Sequence, residues 1–239
     1  SPMNLNELKL RSFRNYQEIA AQFDPGVNLI VGDNAQGKTN LLEAVYYLSC
    51  ASTFRGGKKT DELIRLNQDY FRLTGELMRE RKYNIDISAN RQKKKQIKVN
   101  NVLYKKSVDL YGILQAVLFS PDDLKIVKGS PAERRRYLDM SISQYNKNYA
   151  YNLQKYQKIL IQRNSLLKEK QQRADYNDVL DVWDEQLAMY GSILIAARID
   201  YLKKIIPLAR KIHQDLSDGL EKLNITYQSS LGKISEMPA

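Results

Sequence analysis

At 239 residues, 43% of them apolar, the chain can bury one sizeable core or two small ones, and a formal charge of +11 favours a polyanionic partner. No apolar run approaches the roughly 20 residues that span a bilayer, and the N-terminal SPMNLNEL has neither the charged nor the apolar part of a secretory leader. Cys50, the only cysteine, excludes an internal disulfide and suits a reducing, cytoplasmic setting.

The first region, residues 3–120, alternates strands with turns and one helix. LNELKL and YQEIAAQF read as two strands joined around RSFRN, and DPG at Asp24–Gly26 is a turn. VNLIVG is an apolar strand expected to feed the loop that follows it. After Lys38 a helix places Leu41, Leu42, Val45 and Leu48 on one stripe. YFRLTGELMRE, YNIDISAN and QIKVNNVLY then alternate in period two, the mark of an antiparallel meander with one wet face.

Residues 121–218 read as almost all helix. Ser130 is placed as an N-cap, with Pro131 at the first helical position and Glu133 at the third. Leu153, Leu160 and Leu167 recur at seven residues, as do Leu180, Leu187, Leu194, Tyr201 and Leu208, with Trp183, Tyr190 and Ala197 offset by three. That is an a/d seam, and the polar KEKQQRADYND between the two series predicts an antiparallel, coiled-coil-like hairpin. Residues 219–239 read as one strand, LNITYQSSLGK, returning to the first lobe, and the chain reads as ending in mid-domain.

The chemistry lies in Gly32, Asp33, Asn34, Ala35, Gln36, Gly37, Lys38 and Thr39, a G-x-x-x-x-G-K-[ST] phosphate loop continued by Asn40. Its glycines let successive N–H groups turn inward, and the helix adds its positive end. The Lys38 ammonium is expected on the β- and γ-phosphates, with the Thr39 hydroxyl on Mg²⁺. Turnover also needs a carboxylate at a strand end. AVLFSPDD is broken by Pro121 before Asp122 and Asp123, and Asp200 belongs to the helical seam, so no catalytic residue is assigned. A self-sufficient small P-loop kinase or GTPase, and a structural coiled-coil module with an idle loop, are the alternative readings.

Arg91, Lys93, Lys94, Lys95 and Lys98 crowd one hairpin, with Lys105 and Lys106 nearby and no acidic residue between Ala89 and Ser107. The cluster reads either as a solvated turn or as a phosphate-backbone contact. Lys58 and Lys59 after RGG are a second candidate contact. Arg134, Arg135 and Arg136 share one turn and read as structural, some of them pairing with Asp139 or neighbouring acids; His213 reads as structural too.

LKLRSFRNY, VGDNAQGKTNLLEAVYYLS, STFRG, VLFSPDDLKIVKGSPAERRRYLD and QRNSLL follow in order the pattern of the bacterial RecF family, relatives of the SMC-like ATPases of the ABC type. The resemblance covers Met3 to about Lys233. It implies an α/β P-loop head with a mixed sheet and an inserted all-helical lobe. It also implies ATP and Mg²⁺ as ligands, an ATP-dependent homodimer, and binding to double-stranded DNA or gapped, single-stranded junctions. The implied role is in DNA repair, recombination and replication restart, with mediators such as RecR, promoting RecA loading. Arg14 and Asn15 match positions that approach nucleotide phosphates in related ATPases. Ser120–Asp123 fall at the Q-loop but lack its glutamine. The family's signature and Walker B strand are expected beyond Ala239, so the resemblance implies an N-terminal fragment without turnover of its own.

Overall fold

Period-two patterning builds the first unit. In the computed structural model, β1 (Asn4–Phe13), β2 (Tyr16–Gln22), β3 (Tyr70–Met78), β4 (Lys82–Asn90), β5 (Lys95–Val99) and β6 (Val102–Tyr104) form one sheet in the order β2-β1-β3-β4-β5-β6. Every pairing between these strands is antiparallel. The structure describes residues 3–34, 36–53, 60–92, 94–120, 125–168 and 176–229. Ile19, Leu10, Leu73, Ile87, Ile97 and Tyr104 lie opposite one another in a single row across all six strands. Register is therefore set by burial, since a one-residue slip would turn the whole row to water. The third expected meander strand divides at Asn100–Asn101, whose φ values of 49° and 67° suit the tight turn between β5 and β6.

Helix α1 (Lys38–Cys50) packs against this sheet, chiefly at β3. Leu41, Ala44, Tyr47 and Leu48 are buried, whereas Leu42 is exposed and Val45 half-buried, so the stripe centres one residue away from the one expected. Tyr47 and Phe13 both set their rings edge-on to Phe71, at 5.7 and 5.4 Å. Gly75 permits the close approach: a Cβ there would lie 2.4 Å from Leu48 Cδ1. The expected strand VNLIVG does not form. Val27, Leu29 and Val31 are 97, 84 and 77% exposed, and among the described residues no strand supplies the ladder partners that extended backbone requires.

The chain divides into two units, residues 1–133 with 143–147 and residues 134–142 with 148–239; the boundary expected from sequence, at 120/121, lies upstream. Helix α2 (Lys125–Lys128) precedes α3 (Pro131–Tyr145). The capping box at α3 is present: Ser130 N donates to Glu133 Oε2 at 2.7 Å, and Glu133 N donates back to Ser130 Oγ at 3.4 Å.

The second unit packs α3, α4 (Lys147–Lys168) and the 41-residue α5 (Tyr176–Leu216) around Ile142, Tyr149 and Leu194. The α4 seam is shifted by one residue, with Ile159 and Leu166 buried while Leu160 is half-buried and Leu167 exposed. On α5 the buried row runs Leu194, Leu202, Ile206, and Leu208 is exposed. Asp139 is held across the bundle: Arg198 Nη2 reaches Asp139 Oδ1 at 2.6 Å, and Tyr149 Oη donates to the same oxygen at 2.5 Å. Leu223–Gln228 form no strand; the Leu223 carbonyl accepts instead from Arg210 Nε at 3.2 Å. No described helix is long and apolar enough to cross a membrane.

Candidate phosphate-binding site

The loop from Gly32 opens directly into α1. Gly37 is the residue before the helix, and its φ of 103° is a conformation that favours glycine. The first turn of α1 carries no acidic residue, so the unpaired N–H groups and the helix dipole leave a positive end at Lys38. Lys38 Nζ donates to Gly32 O at 2.6 Å and to Asp33 O at 2.7 Å. Two of its three donors thus fix the ammonium against the loop, leaving one for an anionic oxygen. Thr39 is exposed in the first turn, and Gln36 Nε2 donates to Asp33 Oδ2 at 3.4 Å. Ala35 lies outside the described residues.

The turn between β1 and β2 grips this loop from outside. Asn15 Nδ2 donates to Gln36 O at 3.2 Å, Asn40 Nδ2 donates to Asn15 Oδ1 at 2.8 Å, and Tyr16 Oη donates to Gly37 O at 3.1 Å. A Cβ on Gly37 would lie 2.5 Å from Asn15 Nδ2. Asn15 is therefore a positioning residue: it touches the loop's backbone and the start of α1, and it sets the shape on which inward-pointing N–H groups depend.

Arg14, expected on phosphate, is held elsewhere. Its Nε and Nη2 donate to the two oxygens of Glu43 at 2.9 and 2.8 Å, and its Nη1 donates to Glu62 O at 2.7 Å. Glu43 is fully buried on α1 and also accepts from Thr53 Oγ1 at 2.5 Å. A buried carboxylate in an apolar helix face needs such partners, and the bidentate guanidinium supplies them. The pairing explains why Arg14 keeps a φ of 54°, uncommon for a non-glycine residue: Arg14 N donates to Leu63 O at 2.7 Å, which pins the turn. The sequence reading missed Tyr16, Glu43 and Thr53. The one available signal was Glu43 itself, a charge inside the buried stripe.

The basic hairpin separates into different roles. Lys95 alternates with Ile97 and Val99 and so belongs to the core face of β5. Its stem is exposed, but its ammonium turns in, donating to Ala51 O at 2.7 Å beyond the end of α1 and standing 5.4 Å from the Tyr47 ring centroid. Burial of that ammonium lowers its pKa. Lys95, read in sequence as a DNA candidate, here acts as a structural clasp. Arg91 ties the turn down, Nε donating to Gln68 O at 2.8 Å. Lys94 and Lys98 are exposed, Lys98 on the wet face opposite Asp86. Lys58, Lys59, Lys93, Pro121, Asp122 and Asp123 lie outside the described residues. Asp200 pairs with Lys204 at 2.8 Å on an exposed face of α5, and His213 Nε2 approaches Glu221 at 3.4 Å.

Comparison with known proteins places this geometry. Residues 3–236 match the family model described as AAA ATPase domain. The chain is 41% identical over 233 residues to the DNA replication and repair protein RecF of Agathobacter rectalis, covering 97% of this chain and 64% of that protein. It is 40% identical over 229 residues to the protein of the same name from Clostridium kluyveri, covering 96% and 63%. A solved structure of the recombination mediator protein RecF with ATP, in the RecFOR pathway, superimposes with a TM-score of 0.91 at 39% identity, covering 99% of this chain and 63% of that one. The chain thus spans slightly under two thirds of these relatives, and its fold is the P-loop ATPase head of ABC type with a helical lobe.

Proposed function

Because the chain belongs to the AAA ATPase domain family, in its RecF group, we propose that its phosphate loop binds ATP with Mg²⁺. The observation that carries this reading is the Lys38 ammonium held against the Gly32 and Asp33 carbonyls at the positive end of α1. The loop N–H groups would take the phosphate oxygens, Lys38 the β- and γ-phosphates, and the exposed Thr39 hydroxyl the metal ion. Asn15 and Tyr16 would hold the loop in the shape those contacts need.

The protein to which this head belongs would act on DNA in repair, recombination and replication restart, dimerising over ATP and working with a recombination mediator to load the recombinase at gaps. The names of its relatives support that reading, as does the formal charge of +11. Exposed Lys94 and Lys98 are the hairpin residues that suit a phosphate backbone. Calorimetric ATP titration with and without Mg²⁺ tests the metal assignment. Mg²⁺ should tighten binding to the unmodified chain and leave Thr39→Ala unaffected; equal Mg²⁺ dependence in both would remove Thr39 from the metal site.

A further inference from the structure

Helix α4 carries Lys147, Lys155, Lys158, Arg163 and Lys168 and not one acidic residue along its length. Its exposed positions include Gln154, Lys155, Gln157, Lys158, Gln162 and Asn164. This acid-free face of amide and ammonium groups, with exposed Ile161 among them, is suited to a polyanion. Against it, on α5, stand Trp183, Gln186 and Tyr190 at helical spacing, both aromatic rings half-buried.

Between the two helices these side chains line an open groove of about 380 Å³ floored by Ile159. Lys155 Nζ lies 5.3 Å from the centroid of the Tyr190 ring, so a cation and an aromatic face are already side by side. Among the described residues no carboxylate lines the groove, and the α5 acid next to Trp183, Asp184, is held by Arg163.

We infer that this groove is a binding site for single-stranded nucleic acid, one or two bases stacking on Trp183 and Tyr190 while Lys155 and Lys158 take the adjoining phosphates. Aromatic platforms bordered by lysines bind single strands without sequence preference, because every base has a π-face and every nucleotide a charge. A duplex keeps its bases stacked inside and offers the groove only its backbone. A protein partner is less suited, since the two lysines beside the aromatic rings call for a partner that brings flat rings and negative charge together, as each nucleotide does. Gln162 and Gln186 add amide donors and acceptors for a base edge. The inference rests on the nucleic-acid reading above and adds to it a site on the helical unit, separate from the phosphate loop and from the β4–β5 turn.

Trp183 is the chain's only tryptophan, so its emission reports on this groove alone. The test is titration of the chain with a short oligothymidylate, with an abasic oligonucleotide of equal length, and with an acidic aromatic peptide. Trp183 emission is followed throughout, and total binding is followed by anisotropy of a labelled strand. Oligothymidylate should quench Trp183 saturably, the abasic strand should bind about tenfold more weakly, and Lys155→Glu/Lys158→Glu should lose both affinity and salt dependence. Lys155→Gln/Lys158→Gln, with the same thermal midpoint as the parent, guards against misfolding of the charge-reversed variant and should weaken binding in the same direction. Strand binding retained with Trp183 unquenched and the lysine variants unaffected would overturn the groove and leave the broader DNA reading standing. No strand binding at all would overturn both. Quenching by the peptide and not by oligothymidylate would overturn the inference in favour of a protein partner.

Discussion

Arg14 and Glu43, 29 residues apart, form a two-pronged ion pair at 2.9 and 2.8 Å that fastens the β1–β2 turn to the middle of the helix leading from the phosphate loop. The glutamate side chain is 0% exposed and the arginine 11%, so the pair stands almost wholly out of water. Removing one partner strands the other charge. Arg14→Ala should therefore cost about 3–5 kcal/mol in urea unfolding. Arg14→Lys should recover little, because an ammonium cannot reproduce the parallel fork. A loss below about 1 kcal/mol for Arg14→Ala would show that the pair does not hold the turn.

Asn15 acts on the loop's shape rather than on its ligand. Asn15→Ala removes one bond to Gln36 O and one from Asn40, and should lower ATP affinity about tenfold with little change in thermal midpoint. Asn15→Asp keeps the acceptor for Asn40 but sets a carboxylate against the Gln36 carbonyl, so its loss should be larger. Direct phosphate contact would give the same order of affinities, since the aspartate's charge repels ATP, but would leave the apo loop undisturbed in Asn15→Ala. Hydrogen exchange at the Gly37 amide, faster in both variants without nucleotide, is the expected signature.

Lys94 and Lys95 are neighbours with opposite roles. Lys95→Glu should destabilise the fold by about 1–3 kcal/mol, because it leaves the Ala51 carbonyl without its charged donor and brings a carboxylate to the Tyr47 ring face. Lys94→Glu should be near neutral in stability. The pH dependence has a definite sign. Burial lowers the folded-state pKa of Lys95, so between that value and the unfolded one the unfolded chain binds more protons. The Lys95 contribution to stability must then rise with pH across that window, and the rise should vanish in Lys95→Met.

The Tyr47 hydroxyl is buried with no hydrogen-bond partner among the described residues, and burial raises its pKa. An unmet hydroxyl in a core costs free energy that phenylalanine would not incur. Tyr47→Phe should leave the ring contact with Phe71 intact and stabilise the chain by about 1 kcal/mol in thermal or urea unfolding. Destabilisation would mean that the hydroxyl has a partner.

Local chemistry was legible in the sequence, and long-range pairing was not. The loop from Gly32 to Thr39, the Ser130–Glu133 capping box and the alternating strands β3 and β4 each depend on residues a few positions apart. The Arg14–Glu43 pair was not legible because its partners stand 29 residues apart, and Glu43, a charge inside the buried stripe, was its one local signal. The inward turn of Lys95 was hidden by its place in a charge run, although its period-two relation to Ile97 and Val99 places it on the core face. VNLIVG was read as a strand from composition alone, while a strand exists only where another supplies its ladder. The α4 seam slipped by one residue because two adjacent apolar series, Leu160 with Leu167 and Ile159 with Leu166, compete at the same spacing, and packing against α3 and α5 decides between them.

Affinity for ATP in the unmodified chain and in Lys38→Ala, measured by calorimetry at saturating Mg²⁺, addresses the phosphate loop most directly. Lys38 is the residue whose ammonium the loop holds in place at 2.6 and 2.7 Å, and no neighbouring cation stands at the same two carbonyls among the described residues. Binding should be measurable in the unmodified chain and fall at least about a hundredfold in Lys38→Ala, the loss of a charge-assisted contact to phosphate, with the thermal midpoint of the free protein nearly unchanged. Equal affinity in the two proteins would contradict the assignment of Gly32–Thr39 as an ATP site.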